Sequence, residues 1–148
     1  MKPAVLEKLI EMADRNRDLA ATRRARAEQA RAAATGTLSS LELYRQNHRD
    51  NRRGAIGALP GASGLAVHAR FGGKLDEAID AQRDQCAALE QSLDVRSDEL
   101  RKAHARLQAL RALEQRRERA RRRRADAVEQ HTQDDLASTR HPRRQAGR

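Results

Sequence analysis

Large side chains are scarce in this chain. Tyr44 and Phe71 are its aromatics, tryptophan is absent and half of the apolar 38% is alanine, so a globular core of interlocking large side chains cannot be built. Proline is nearly missing as well: Pro60 alone stands between Pro3 and Pro142, which leaves two long tracts open to uninterrupted helix. The one cysteine, Cys86, excludes an internal disulfide framework and fits a reducing compartment. Its place on an apolar seam reads as that of a small buried group. There is no long apolar run, and the start reaches Glu7 and Glu11 before one could form. Neither a signal peptide nor a membrane span is therefore expected, and the protein is expected to be cytosolic and soluble.

Catalytic constellations are missing too. The histidines at 48, 68, 104, 131 and 141 are scattered without the close spacing to carboxylates or thiols that a metal site needs. The glycines near the middle lack the Lys-Ser/Thr that would complete a phosphate-binding loop. Asp134 and Asp135 are neighbours in sequence and point to different faces of a helix. No catalytic residue, cofactor, metal or small-molecule ligand is expected, and the composition is that of a scaffold or interaction protein.

What is present is the material of long helices: alanine, leucine, glutamate and arginine, with 35% of residues charged. Stepping alternately by four and three from Leu75 visits Leu75, Ile79, Gln82, Cys86, Leu89, Leu93, Arg96, Leu100, Ala103, Leu107 and Leu110. This is a coiled-coil seam of about five heptads, and burying it against a partner stripe is the main favourable term open to so polar a chain. A second tract, from Pro3 to Arg52, repeats Leu6, Ala13, Ala20, Ala27, Ala34 and Leu41 at every seventh position, with Leu9, Asn16, Arg23, Ala30, Thr37 and Tyr44 read as the positions between them. Small side chains on this stripe can admit the leucines of the other.

Between Gly54 and Gly64 four glycines and Pro60 stand among uncharged residues, which reads as a loop. The expected layout is a single coiled-coil domain: helix 1 over 3–52, a loop over 53–64, helix 2 over 65–139 and a disordered basic tail over 140–148. Leu110 lies as far into helix 2 as Leu6 and Leu9 lie back from the end of helix 1, so the leucine seam stops where helix 1 runs out. The expected fold is an all-α, long two-helix antiparallel coiled-coil hairpin whose C-terminal helix overhangs its partner by roughly 40 Å. A parallel dimer of helix 2 is the rival arrangement, without this length match.

Two features invite function. Thr37, Leu41, Tyr44 and His48 share one face of helix 1, and Phe71, Leu75, Ala78 and Gln82 repeat the spacing on helix 2. The two rings either plug the interior near the loop or form a partly exposed apolar patch that docks another protein. At the other end, Arg116 to Arg124 holds seven arginines in nine residues, and residues 101–148 carry +9 of the net +10. An electrostatic partner is addressed there. Without stacking aromatics the run does not suit sequence-specific nucleic-acid binding, and a solvated helix or a plug for an acidic protein channel explains it as well.

The order of features resembles the FliJ family of the bacterial flagellar type III export apparatus. The likeness is carried by Leu41-Glu42-Leu43-Tyr44-Arg45-Gln46-Asn47 at the end of helix 1. Phe71-Gly72-Gly73-Lys74-Leu75-Asp76-Glu77-Ala78-Ile79-Asp80-Ala81-Gln82 after the loop carries it further. The resemblance implies a hairpin similar to the stalk of rotary ATPases, its paired ends entering the pore of a hexameric, FliI-like export ATPase. Leu6, Leu9, Arg116, Arg117, Arg121 and Arg124 would lie there. It implies a contact with the cytoplasmic domain of an FlhA-like export gate through Leu41, Tyr44, Phe71, Leu75 and Ala78. Thr37, His48 and Gln82 complete that face where family members tend to have Gln, Tyr and His. Export chaperones are further implied partners, at a site these residues do not place. The implied location is cytoplasmic and peripheral, at the inner membrane's cytoplasmic face through the apparatus. The equivalent stalk of a virulence injectisome is the alternative within this class, and a nucleic-acid-binding coiled coil working through Arg116 to Arg124 the alternative outside it.

Overall fold

The computed structural model describes residues 3–55 and 61–140, with side chains over 3–52 and 61–137. Two helices account for all of them: α1, Pro3–Ala55, and α2, Gly61–Arg140. Pro3 occupies the first turn of α1, where a missing N–H costs nothing. Both helices run further toward each other than the glycine content suggested, α1 by three residues and α2 by four. A helical glycine costs about 1 kcal/mol relative to alanine, which is a penalty and not a stop. Gly61 itself takes a φ of 72°, open to glycine at no steric cost, and the helix begins there. Arg140, expected to open the tail, ends α2 instead, and the centre of the expected loop, 56–60, and the rest of the expected tail, 141–148, lie outside the described residues.

The fold is the antiparallel hairpin, and the parallel dimer is not needed to bury the seam. Two compact units make it up: a terminal unit joining Met1–Asp14 to His104–Arg148, and a loop-side unit spanning Arg15–Ala103. In the loop-side unit, Arg31 of α1 pairs with Glu90 of α2 and Arg45 with Asp76, so fourteen residues up one helix match fourteen down the other. Arg83 reaches Glu42 at 2.9 Å, and the Gln82 side-chain amide donates to the Ala34 carbonyl at 2.9 Å. In the terminal unit Arg111 bridges to Asp14 at 3.3 Å. Cross-helix ion pairs of this kind add little energy at an exposed surface but fix direction and register.

All eleven seam positions of α2 from Leu75 to Leu110 are buried or half-buried, with Ile79, Leu93 and Leu107 the most enclosed. On α1 the sevenfold set Leu6, Ala13, Ala20, Ala27, Ala34 and Leu41 is likewise covered. The positions between them are not the expected ones. Leu9 is half-buried, but Asn16, Arg23, Ala30, Thr37 and Tyr44 are exposed, and Ile10, Arg17, Arg24, Leu38 and Arg45, one residue further on, are half-covered instead. The stripe on α1 therefore steps by four, not three, after Ala13, Ala20, Ala34 and Leu41, takes both steps after Leu6, and after Ala27 neither, since Ala30 and Arg31 are both exposed. Arginine allows this because its aliphatic stem covers the alanines while its head finds a carboxylate. Arg17 meets Asp18 at 2.9 Å and Arg24 meets Glu28 at 3.0 Å, while Arg45 crosses to Asp76.

Gly36 is a tolerated weakness in the middle of α1, since a methyl group there would meet no heavy atom within 4 Å. Gly36→Ala is expected to raise unfolding stability by about 0.8–1 kcal/mol through helix propensity alone. Urea titration followed by circular dichroism measures it, and a loss of stability would show that the backbone at this point is not plain helix.

Candidate functional site

In the loop-side unit the helices approach closely where Gly72 faces Arg45 and His48. A Cβ on Gly72 would lie 3.1 Å from Arg45 Nη1 and 3.3 Å from His48 Cε1, so the buried glycine makes room for both side chains. Arg45 is not free to swing aside: its Nε and Nη2 donate to the two oxygens of Asp76 at 2.6 and 2.7 Å, a fork onto a carboxylate. These hydrogen bonds hold the Asp76 carboxyl below its usual range and raise the Arg45 guanidinium.

His48 lies over this fork. Its ring stacks on that of His68 across the helix pair, with centroids 3.8 Å apart and planes at 24°, and meets Phe71 at 5.1 Å. Burial first, then the neighbouring His68, Arg45 and Arg52, pushes the His48 pKa down from 6.5, against a smaller opposing pull from Asp76. Beside the stack, His48, Ser63, Gly64, Val67, His68 and Phe71 line an open, mainly apolar groove of about 650 Å³.

The face expected from the sequence divides here into an inside and an outside. Leu41, His48, Leu75, Ala78 and Gln82 are half-buried between the helices, Gln82 being turned inward onto the Ala34 carbonyl. Thr37 is exposed, its hydroxyl donating back to the Ala33 carbonyl at 3.2 Å. Tyr44 is 67% and Phe71 54% exposed, so neither ring plugs the interior. Leu43, 61% exposed, adds a third large apolar group on α1. Sequence reading assigned no role to Arg45, His68, Gly72 and Asp76. For Arg45 and Asp76 the available signal was the four-step alternative on α1, which brings Arg45 inward toward a carboxylate on α2; for His68 and Gly72 there was none.

In the terminal unit Leu6 is buried and Leu9 half-buried, while Arg116, Arg117, Arg121 and Arg124 are exposed. Pro3, Leu6, Glu114, Arg117, Glu118 and Arg121 surround a small open pocket of about 330 Å³, which marks where the start of α1 meets α2. Glu118 accepts hydrogen bonds from Arg121 at 2.6 Å and Arg122 at 3.0 Å, and its carboxyl is held low, first by Arg122. Every described side chain from Arg119 to Ala137 is exposed, so this part of α2 is the overhang.

Among the described residues no cluster of three or more His, Cys, Asp or Glu is placed to hold a metal ion, and no helix is long and apolar enough to cross a membrane. The fold defines a class: an antiparallel helical hairpin, with aromatics exposed on its loop-side unit and arginines exposed on the C-terminal part of α2. The family model of the flagellar FliJ protein matches residues 1–146, and the chain belongs to that family. Searches of curated proteins and of solved structures give no match. Membership carries a role related to flagellar protein export, in a family that is a non-catalytic export component.

Proposed function

We propose that the chain is the stalk of the flagellar type III export ATPase, coupling a FliI-like hexamer to the cytoplasmic domain of an FlhA-like gate. The main support is that the two units carry unlike surfaces. The loop-side unit exposes Tyr44 and Phe71, and the terminal unit carries an arginine-rich helix end without a partner helix. Exposed aromatics favour a protein partner, because large rigid rings bury much apolar area at small entropic cost. Seven arginines around an exposed helix favour an acidic lining that closes about it, as a ring pore does. In this reading Leu6 and Leu9 hold the start of α1 against α2 and keep Arg116, Arg117, Arg121 and Arg124 presented. The protein performs no chemistry, works at the cytoplasmic face of the inner membrane through its partners, and also receives export chaperones. The match to a flagellar family favours this over an injectisome stalk.

Co-purification with the ATPase and the gate domain together tests the reading. A ternary complex is the expected result, and a chain that binds either partner only by excluding the other cannot couple them. Glutamine at Arg116, Arg117, Arg121 and Arg124 should weaken ATPase binding by about tenfold or more while leaving gate binding unchanged. If those substitutions instead abolish binding to duplex DNA and spare the ATPase, the overhang serves nucleic acid.

A further inference from the structure

The stacked histidines do something that neither proposed surface requires. His48 on α1 and His68 on α2 lie face to face at 3.8 Å, and both ring nitrogens of His48 and Nδ1 of His68 are shielded without a hydrogen-bond partner in the protein. Even neutral, the His48 ring leaves one N–H and one lone pair without partners, a cost that its stacking on His68 offsets in part. An imidazolium is worse placed, since it adds a second N–H without an acceptor and a charge withdrawn from water. The surroundings make matters worse for a proton. Arg45, Arg49 and Arg52 face the pair from α1, and from α2 come His68 itself and Asp76, whose two oxygens are already taken by Arg45.

We propose that His48 and His68 form a pH-sensitive clasp that holds α1 to α2 beside the loop at neutral pH and releases it on acidification.

The direction follows from linkage. His48 binds its proton less readily in the closed hairpin than in an opened one, where the ring is hydrated. Closure is thus fully stabilised above about pH 6.5 and loses that stabilisation as pH falls below it. Asp76 has its carboxyl lowered from 3.8 and stays ionised through this range, so the Arg45 fork persists while the stack opens. With the His48 ring charged, a cation stands against the His68 ring among Arg45, Arg49 and Arg52, and the groove over Phe71 and Val67 loses its His48 wall as the stack opens. Any resulting pH dependence of docking rests on the function proposed above. The clasp itself does not.

The test uses the full chain, with NMR titration of the histidine rings and hydrogen exchange of the backbone amides. The His48 ring should titrate with a midpoint below 6.5, the ordinary histidine value. After correction for intrinsic rates, amides over 65–75 should exchange about tenfold faster near pH 5.5 than near pH 7.5. His48→Phe keeps a ring on the stack and removes the titrating group, so its exchange should be flat across the same range. A His48 midpoint at or above 6.5, or the same acid response in His48→Phe, overturns the clasp. Should His48→Phe lose helicity at neutral pH, His48→Leu, smaller and likewise without a titrating group, supplies the same comparison. A gate domain that fails to bind at any pH, with the exchange response intact, refutes the docking and leaves the clasp standing.

Discussion

Leu107→Ala is expected to be the most destabilising truncation in the chain, at about 2–5 kcal/mol. Leu107 is the large side chain with no exposed surface among the described residues. It lies one turn before Arg111, whose bridge to Asp14 holds the two segments of the terminal unit together, and Ala13 beside that bridge is small and buried. Removing a side chain with no exposed surface loses its transfer energy and adds a term for the cavity left behind. Urea unfolding followed by circular dichroism gives the number. Val128→Ala is the control, because Val128 is 65% exposed on the overhang and its truncation should change stability by no more than about 0.5 kcal/mol. Equal losses for the two would mean that the overhang is packed against something as closely as the seam is.

The contrast between these two residues also shows what could be read from sequence. The α2 seam was legible because leucines at four and three residue steps have no other explanation on so polar a helix, and none of its eleven positions proved exposed. The overhang was legible for the complementary reason: the leucines end at Leu110 while the helix formers continue. On α1 the signal was weak because its interior is made of alanine and arginine. Ala13, Ala20 and Ala34 marked half of the stripe, but arginine is ordinarily counted as surface, so nothing singled out the half-buried Arg17, Arg24 and Arg45. That single-residue shift in the intervening positions carried Tyr44 from the interior to the surface and brought Arg45 into contact with Asp76. The histidine stack and the close approach at Gly72 depend on which residues of two helices stand at one height, information held in the pairing and not in either helix. They were therefore invisible until the hairpin was assembled.

The double variant Tyr44→Ala, Phe71→Ala is expected to weaken binding to the gate's cytoplasmic domain by at least about tenfold, or about 1.4 kcal/mol, at unchanged helicity. Both rings stand more than half exposed, so removing them takes little from the fold and much from a surface that a partner could cover. Leu41, Leu75 and Ala78 are poorer probes of the same surface because they are half-buried between the helices, and truncating them would confuse docking with packing. The two rings also differ from each other. Phe71 touches the His48 ring at 5.1 Å and its loss can disturb the histidine stack, whereas Tyr44 figures in neither the stack nor the groove beside it. Tyr44→Ala alone should therefore weaken the gate complex without altering the His48 titration, and Phe71→Ala should affect both. Titration calorimetry against the isolated gate domain, paired with the histidine NMR signals of each variant, separates these effects. Unaltered affinity in the double variant would remove the loop-side aromatics from the docking surface and send the search to the half-buried face around Gln82, which the partner could reach only by opening the hairpin.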